Sequence, residues 1–213
     1  MVLYHGSKTI IPAPTIHGGK IYNDYGQGFY CTKYIELAKE WSVSEGHDGF
    51  VNSYEFNDSG LKILNLNSDD YTILHWLTVL LEHRNVNINT PLANDGIAFL
   101  KERYHINLED YDVVLGYRAD DSYFSFARAF VSNSISLSQL EESMYLGELG
   151  IQYCIKSEKA FNRLSFTEAV TVNHIDYYPL RVSRDDKARK TYNKLTSTTN
   201  RDGVYLIDIM RKE

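Results

Sequence analysis

Strand-like runs stand at the two ends of this chain, and a long helix-like stretch separates them. Val2-Leu3-Tyr4-His5 and Gly28-Phe29-Tyr30-Cys31-Thr32 are short runs rich in β-prone residues. Val51 to Phe56 and Leu61 to Leu66 alternate, and Asn57-Asp58-Ser59-Gly60 lies between them, which predicts a hairpin. Strand character returns at Ile151 to Ile155 and at Leu164 to Val172. From residue 69 to 146 the pattern is mostly helical. Tyr71 to His83 carries Leu74, Leu77, Leu80 and Leu81 on one side, and 96–104, 122–131 and 138–146 read as further helices. The last of these is capped by Ser136 or Ser138 with Glu141 behind it. Val113-Val114-Leu115-Gly116 is a short apolar stretch inside this region. Thr32 reads as the N-cap of a helix carrying Ile35, Leu37, Ala38 and Trp41. Residues 185–195 read as a charged helix, and 203–209 as a final strand or a short helix. Strands grouped at the ends, rather than alternating with helices, predict an α+β fold.

The length of 213 residues is enough for one domain with its own core. We read residues 1–213 as that single domain, with a helical insertion at about 69–146 and a C-terminal extension at about 166–213. Two cysteines, Cys31 and Cys154, exclude a disulfide scaffold and a four-cysteine metal cluster, and no metal is expected. The formal net charge of −6 gives no indication of nucleic-acid binding. The N-terminus lacks the basic and apolar regions of a signal peptide, and no apolar run approaches the ~20 residues of a membrane span. A cytoplasmic location with both thiols reduced is therefore expected. There are 17 tyrosines. Tyrosine suits pockets, because its ring stacks while its hydroxyl hydrogen-bonds.

The residues with chemical interest fall in three places. His5 ends a strand and is followed by Gly6 and Ser7. Gly18, Gly19, Gly26 and Gly28 make a loop that a ligand can approach closely, and that loop runs into Tyr30. Gln152 stands on a late strand. Each has a plainer reading: a structural histidine for His5, core for Trp41, a solvent-facing strand position for Gln152. Asp120 and Asp121 also suit the N-terminal cap of the helix that follows. The glycines do not form a dinucleotide fingerprint, and Cys31 has no visible His–Asp partner for a nucleophile's role. The basic residues of the tail, among them Arg181, Arg184, Lys187 and Lys190, read as a solvated helix face or a contact for an acidic substrate.

Taken together, Tyr4-His5-Gly6-Ser7, Gly26-Gln27-Gly28-Phe29-Tyr30-Cys31-Thr32 and Ile151-Gln152-Tyr153 resemble the ADP-ribosyltransferase superfamily, in its histidine–tyrosine branch. Asp112 to Asp121 and Gln152 to Ala160 are similar to a bacterial family catalogued as a domain of unknown function. The resemblance spans roughly residues 1 to 165. It implies a split β-sandwich of two antiparallel sheets, with the helical middle segment between the strands and an NAD cleft between the sheets. It implies NAD as a substrate. His5 would bond a ribose hydroxyl, Gly6 the nicotinamide amide, and Ser7 would add a hydroxyl. Tyr30 and Trp41 would sandwich the nicotinamide, with Gly28 and Asp121 also in the binding site. Gln152 stands where the superfamily has a glutamate. It can bond the same hydroxyl but supplies no charge, so Glu148, Asp120 or Asp121 are candidates to substitute. The resemblance implies mono-ADP-ribosylation of a macromolecular acceptor by a toxin of toxin–antitoxin or phage-defence loci, with an antitoxin as partner. NAD glycohydrolysis and a catalytically silent NAD- or partner-binding module are the alternatives.

Overall fold

The computed structural model describes residues 1–119, 121–146 and 150–212, with the side chains of Asp121, Ser122 and Tyr123 outside that description. Its strands are β1 (Val2–Ser7), β2 (Phe29–Thr32), β3 (Gly49–Phe56), β4 (Ile63–Asn65), β5 (Val113–Tyr117), β6 (Ile151–Ile155) and β7 (Leu164–Val172). They form one mixed sheet in the order β4-β5-β6-β2-β1-β3-β7. Only β4 and β5 run parallel.

The α+β class stands, but two antiparallel sheets were expected and all seven described strands join in one. The expected hairpin of β3 with β4 does not form either. β3 pairs with β1 along one edge and with β7 along the other. A strand has two edges, so β3 has none left for β4. The chain does turn at residues 57–60, where the Leu61 amide donates to the Asp58 carbonyl. It then crosses to the far side of the sheet, where β4 pairs with β5. The middle segment is not purely helical, because Val113 to Tyr117 enters the sheet between β4 and β6.

The sheet comes close to parting at one line. β1 pairs with β3 along its whole length, but its only registered pair with β2 is Tyr4 with Thr32. Helices cover the two sides of this line separately. Helix α1 (Ile35–Ser42) lies over the β1–β3 side, burying Ala38 and Val43 with Val51 and Val172. On the other side α2 (Ile73–His83), α3 (Pro91–Arg103), α4 (Asp121–Val131) and α5 (Leu137–Ser143) gather around Trp76, Leu77, Leu80, Phe126 and Phe130. Fully burying side chains of this size contributes about 1.5–3 kcal/mol each.

Local chemistry explains the helix ends. Thr72 with His75 and Ser136 with Gln139 form capping boxes, so Gln139 takes the place expected of Glu141. Thr90 accepts from the Ala93 amide, with Pro91 in the first turn of α3. Thr32 stays in β2 and Tyr34 is the N-cap of α1. After β6 come α6 (Glu158–Phe161), β7, α7 (His174–Thr196) and α8 (Leu206–Lys212). The final segment is thus a helix, anchored by the fully buried Leu206. Helix α7 is joined to α1 by a two-pronged ion pair: Arg184 Nε and Nη2 each reach a Glu40 oxygen at 2.9 Å. Among the described residues no helix is long and apolar enough to cross a membrane.

Candidate functional site

A cleft of about 650 Å³ opens where the sheet nearly parts. That is within the range of small-molecule sites. His5 and Gly6 of β1, Tyr30 of β2, Trp41 of α1 and Gln152 of β6 all line it, with Gly28 just before β2. Residues as far apart in sequence as His5 and Gln152 thus meet in one cavity. Ser7 is not in the lining. Its hydroxyl donates to the Thr9 carbonyl and accepts from Asn52 Nδ2. Asp120, Glu148 and the side chain of Asp121 lie outside the described residues.

His5 spans the gap between the two sides. Its Nδ1 lies 2.6 Å from the Tyr30 carbonyl oxygen, and its ring stacks on Phe29 at 4.3 Å. A carbonyl only accepts, so Nδ1 carries the proton. Burial holds the His5 pKa below its ordinary value, and the carbonyl pulls it only partly back. The ring is therefore neutral at neutral pH, and Nε2 is left as an acceptor. Gly6 is required by packing: a Cβ there would stand 2.1 Å from the Ala38 carbonyl oxygen of α1. At Gly28 a Cβ would stand 2.5 Å from Cys154 Sγ on β6. Both glycines let neighbouring elements close on the cleft.

The Tyr30 hydroxyl is committed to the loop before it. It donates to the Gly26 carbonyl at 2.6 Å and accepts from the Tyr25 amide at 3.0 Å. Burial first, and then the neighbouring Cys154 thiol, push its pKa far above the ordinary phenol value. So Tyr30 offers the cleft its ring and not its hydroxyl. Trp41 is not core. The Arg118 guanidinium lies over its ring at 3.9 Å, a cation–π contact at the cleft wall. Cys154 is fully buried and its thiol is pushed up to about 12, mainly by burial; Cys31 is also buried and raised. Neither is a thiolate nucleophile at neutral pH.

Sequence reasoning missed the residue that holds Gln152. Gln152 Nε2 donates to Asp24 Oδ2 at 2.8 Å and, more weakly, to the Tyr117 carbonyl at 3.4 Å. Asp24 is buried. It also accepts from the Ala119 amide at 2.9 Å and pairs with Arg84 at 3.1 Å. Burial raises the Asp24 pKa, while the Ala119 and Gln152 hydrogen bonds and the Arg84 and Arg118 charges oppose it. All three direct partners are donors, which is the environment of a carboxylate. Around this one acid the cleft is lined by Lys20, Arg84, Arg118 and Arg181. That cationic wall sits in a chain of net charge −6, and it suits an anionic ligand. Among the described residues no group of three His, Cys, Asp or Glu side chains converges as metal ligands.

A family model described as a protein of unknown function (DUF3990) matches residues 1–166. The chain belongs to the DUF3990 family. No curated protein and no solved structure matches it.

The DUF3990 match takes in β1 to β6 and therefore His5, Tyr30, Trp41, Gln152 and Asp24. It ends inside β7, before Arg181. This last cleft cation is brought in by α7, where its Nη1 donates to the Val43 carbonyl at 3.0 Å. The basic tail therefore divides. Arg184 binds Glu40, Arg181 faces the cleft, and Lys187, Lys190 and Lys194 lie along the rest of α7, outside the cleft lining. A signal for Asp24 was available: a lone carboxylate two residues before Gly26, inside the glycine-rich loop.

Proposed function

We propose that this DUF3990 chain binds NAD as a substrate and transfers its ADP-ribose to a macromolecular acceptor, releasing nicotinamide. The observation that carries this reading is the meeting of His5, Tyr30, Trp41 and Gln152 in one cleft with a cationic wall. A flat aromatic head, a ribose and a pyrophosphate are what such a lining suits. The near-parting of the sheet between β1 and β2 supports a likeness to the split sheets of ADP-ribosyltransferases.

In the reaction, the bond between ribose C1′ and the nicotinamide nitrogen breaks. Its electron pair neutralises the pyridinium. The acceptor's nucleophile forms the new bond at C1′, and its proton leaves to solvent. The Tyr30 ring and Trp41 hold the nicotinamide. His5 Nε2 and Gln152 Oε1 accept hydrogen bonds from ribose hydroxyls. Arg118 and Arg181 face the pyrophosphate. Catalysis here is positioning plus electrostatic support of positive charge at C1′.

The test is the fate of label from NAD carrying it in the adenylate half, incubated with purified protein and cell lysate. Label fixed on protein or nucleic acid is the expected result. Release of free ADP-ribose, unaltered by lysate, would replace transfer with hydrolysis.

A further inference from the structure

Cleaving NAD at this site poses a chemical problem. A glutamine near C1′ can hydrogen-bond a ribose hydroxyl but brings no negative charge to a transition state that gains positive charge. The hydrogen bonds around Gln152 supply an answer. Its nitrogen donates to Asp24 Oδ2 and the Tyr117 carbonyl, which only accept, with the Tyr25 hydroxyl also in contact with the side chain. The carboxamide therefore has one orientation. Nε2 faces Asp24, and Oε1 accepts no hydrogen bond from any described residue. Gln152 lines the cleft, so Oε1 is the atom it offers to a ligand.

We propose that Asp24 is the positioning residue of this site: it fixes the Gln152 carboxamide and makes Oε1 a stronger acceptor for the ribose hydroxyl. A carboxylate bonded to the N–H side of an amide polarises it and increases the negative charge on its oxygen. The charge missing at position 152 is thus held one hydrogen bond away. No proton moves and no bond to Asp24 or Gln152 forms or breaks. Arg84 and the Ala119 amide oppose the effect of burial on the Asp24 carboxyl and hold it in place from its other side. The loop supplies the carboxylate, and β6 supplies the atom that meets the ribose.

This inference rests on the NAD reading, and its experiment separates the two. Nicotinamide release from NAD is measured for the wild type, for Asp24→Asn and for the exchanged pair Asp24→Asn with Gln152→Glu. Each is resolved into kcat and KM and accompanied by a thermal melt. Asp24→Asn is expected to lower kcat on the order of 10- to 100-fold, the usual cost of removing a group that orients a site residue, with KM changed much less. The exchanged pair keeps the hydrogen bond to position 152 with its direction reversed, because the carboxamide now at position 24 can donate to the carboxylate now at position 152; the Ala119 amide, which shares Asp24 Oδ2, loses its acceptor, and the melt reads that cost. It also returns the charge to the site. It is expected to recover most of the lost kcat. An active Asp24→Asn overturns the inference. So does an exchanged pair that melts like the wild type but stays as slow as Asp24→Asn, since Asp24 would then be a structural anchor. The exchanged pair remains readable even if Asp24→Asn alone does not fold. A wild type that releases no nicotinamide overturns the NAD reading, and this inference with it.

Discussion

Single side chains in the cleft carry signatures that can be measured one at a time. Burial keeps the His5 pKa below its ordinary 6.5. The unfolded chain then takes up this proton at a pH where the folded chain does not. The contribution to stability is complete above about pH 6.5 and is lost as pH falls below it. Urea midpoints taken at about pH 7.5 and about pH 5.5 should therefore fall further in the wild type than in His5→Gln. An equal fall in both would show that His5 is not the buried neutral group. Trp41 makes a second case. Trp41→Ala should weaken NAD binding roughly tenfold, because it removes a stacking wall and the cation–π contact with Arg118. It should leave the melting temperature nearly unchanged, since Trp41 is not part of the buried core. Calorimetry and a thermal melt of the same preparation read both. Of these residues, His5 and Tyr30 stand in local motifs of the sequence, and Trp41 was named only through the family resemblance. Asp24 was not legible there. Its role comes from Gln152, 128 residues away, and from two further donors on other elements.

Between elements, the decisive contacts are those that set α1 against β1 and α7 against α1. A Cβ at position 6 would meet backbone, which cannot rotate away as a side chain can. Gly6→Ala should cost about 1–3 kcal/mol by overpacking. It should also shift α1 and Trp41, so NAD affinity and melting temperature should fall together. That contrasts with Trp41→Ala, where affinity alone falls. The Glu40–Arg184 pair gives a second measurement. Glu40 is buried at 4% exposure, so Arg184→Gln should cost about 1–3 kcal/mol by leaving its carboxylate short of donors. Adding Glu40→Gln should recover part of that loss in a double-mutant cycle of urea unfolding. Most elements were legible from periodicity and turn residues: β1 to β4, β6 and β7, and α1 to α5. Pairing was not legible. Val51–Phe56 and Leu61–Leu66 have the alternation and the turn of a hairpin. What sends β4 elsewhere is β7, which occupies the free edge of β3 from far along the chain. Edge occupancy is a property of the whole sheet, and no local window contains it.

The molecule as a whole is acidic, yet its cleft wall is cationic, a contrast that suits an anionic ligand. ADP-ribose, which keeps the pyrophosphate, should compete with NAD for the cleft. Nicotinamide riboside, which lacks it, should compete far less. Raising salt should weaken NAD binding, because screening acts on the Arg118 and Arg181 contacts. The sequence reading reached the α+β class and the three segments that line the site. The cationic wall could not be read from it, because Lys20, Arg84, Arg118 and Arg181 are spread across most of the chain and meet only when the sheet has formed. Cleavage of NAD in this cleft is read out by nicotinamide release from NAD by the purified chain, measured beside Tyr30→Ala. Release by the wild type, increased by lysate and lost in Tyr30→Ala, is the expected result. Absence of release from a folded wild type, with or without lysate, would contradict cleavage in this cleft.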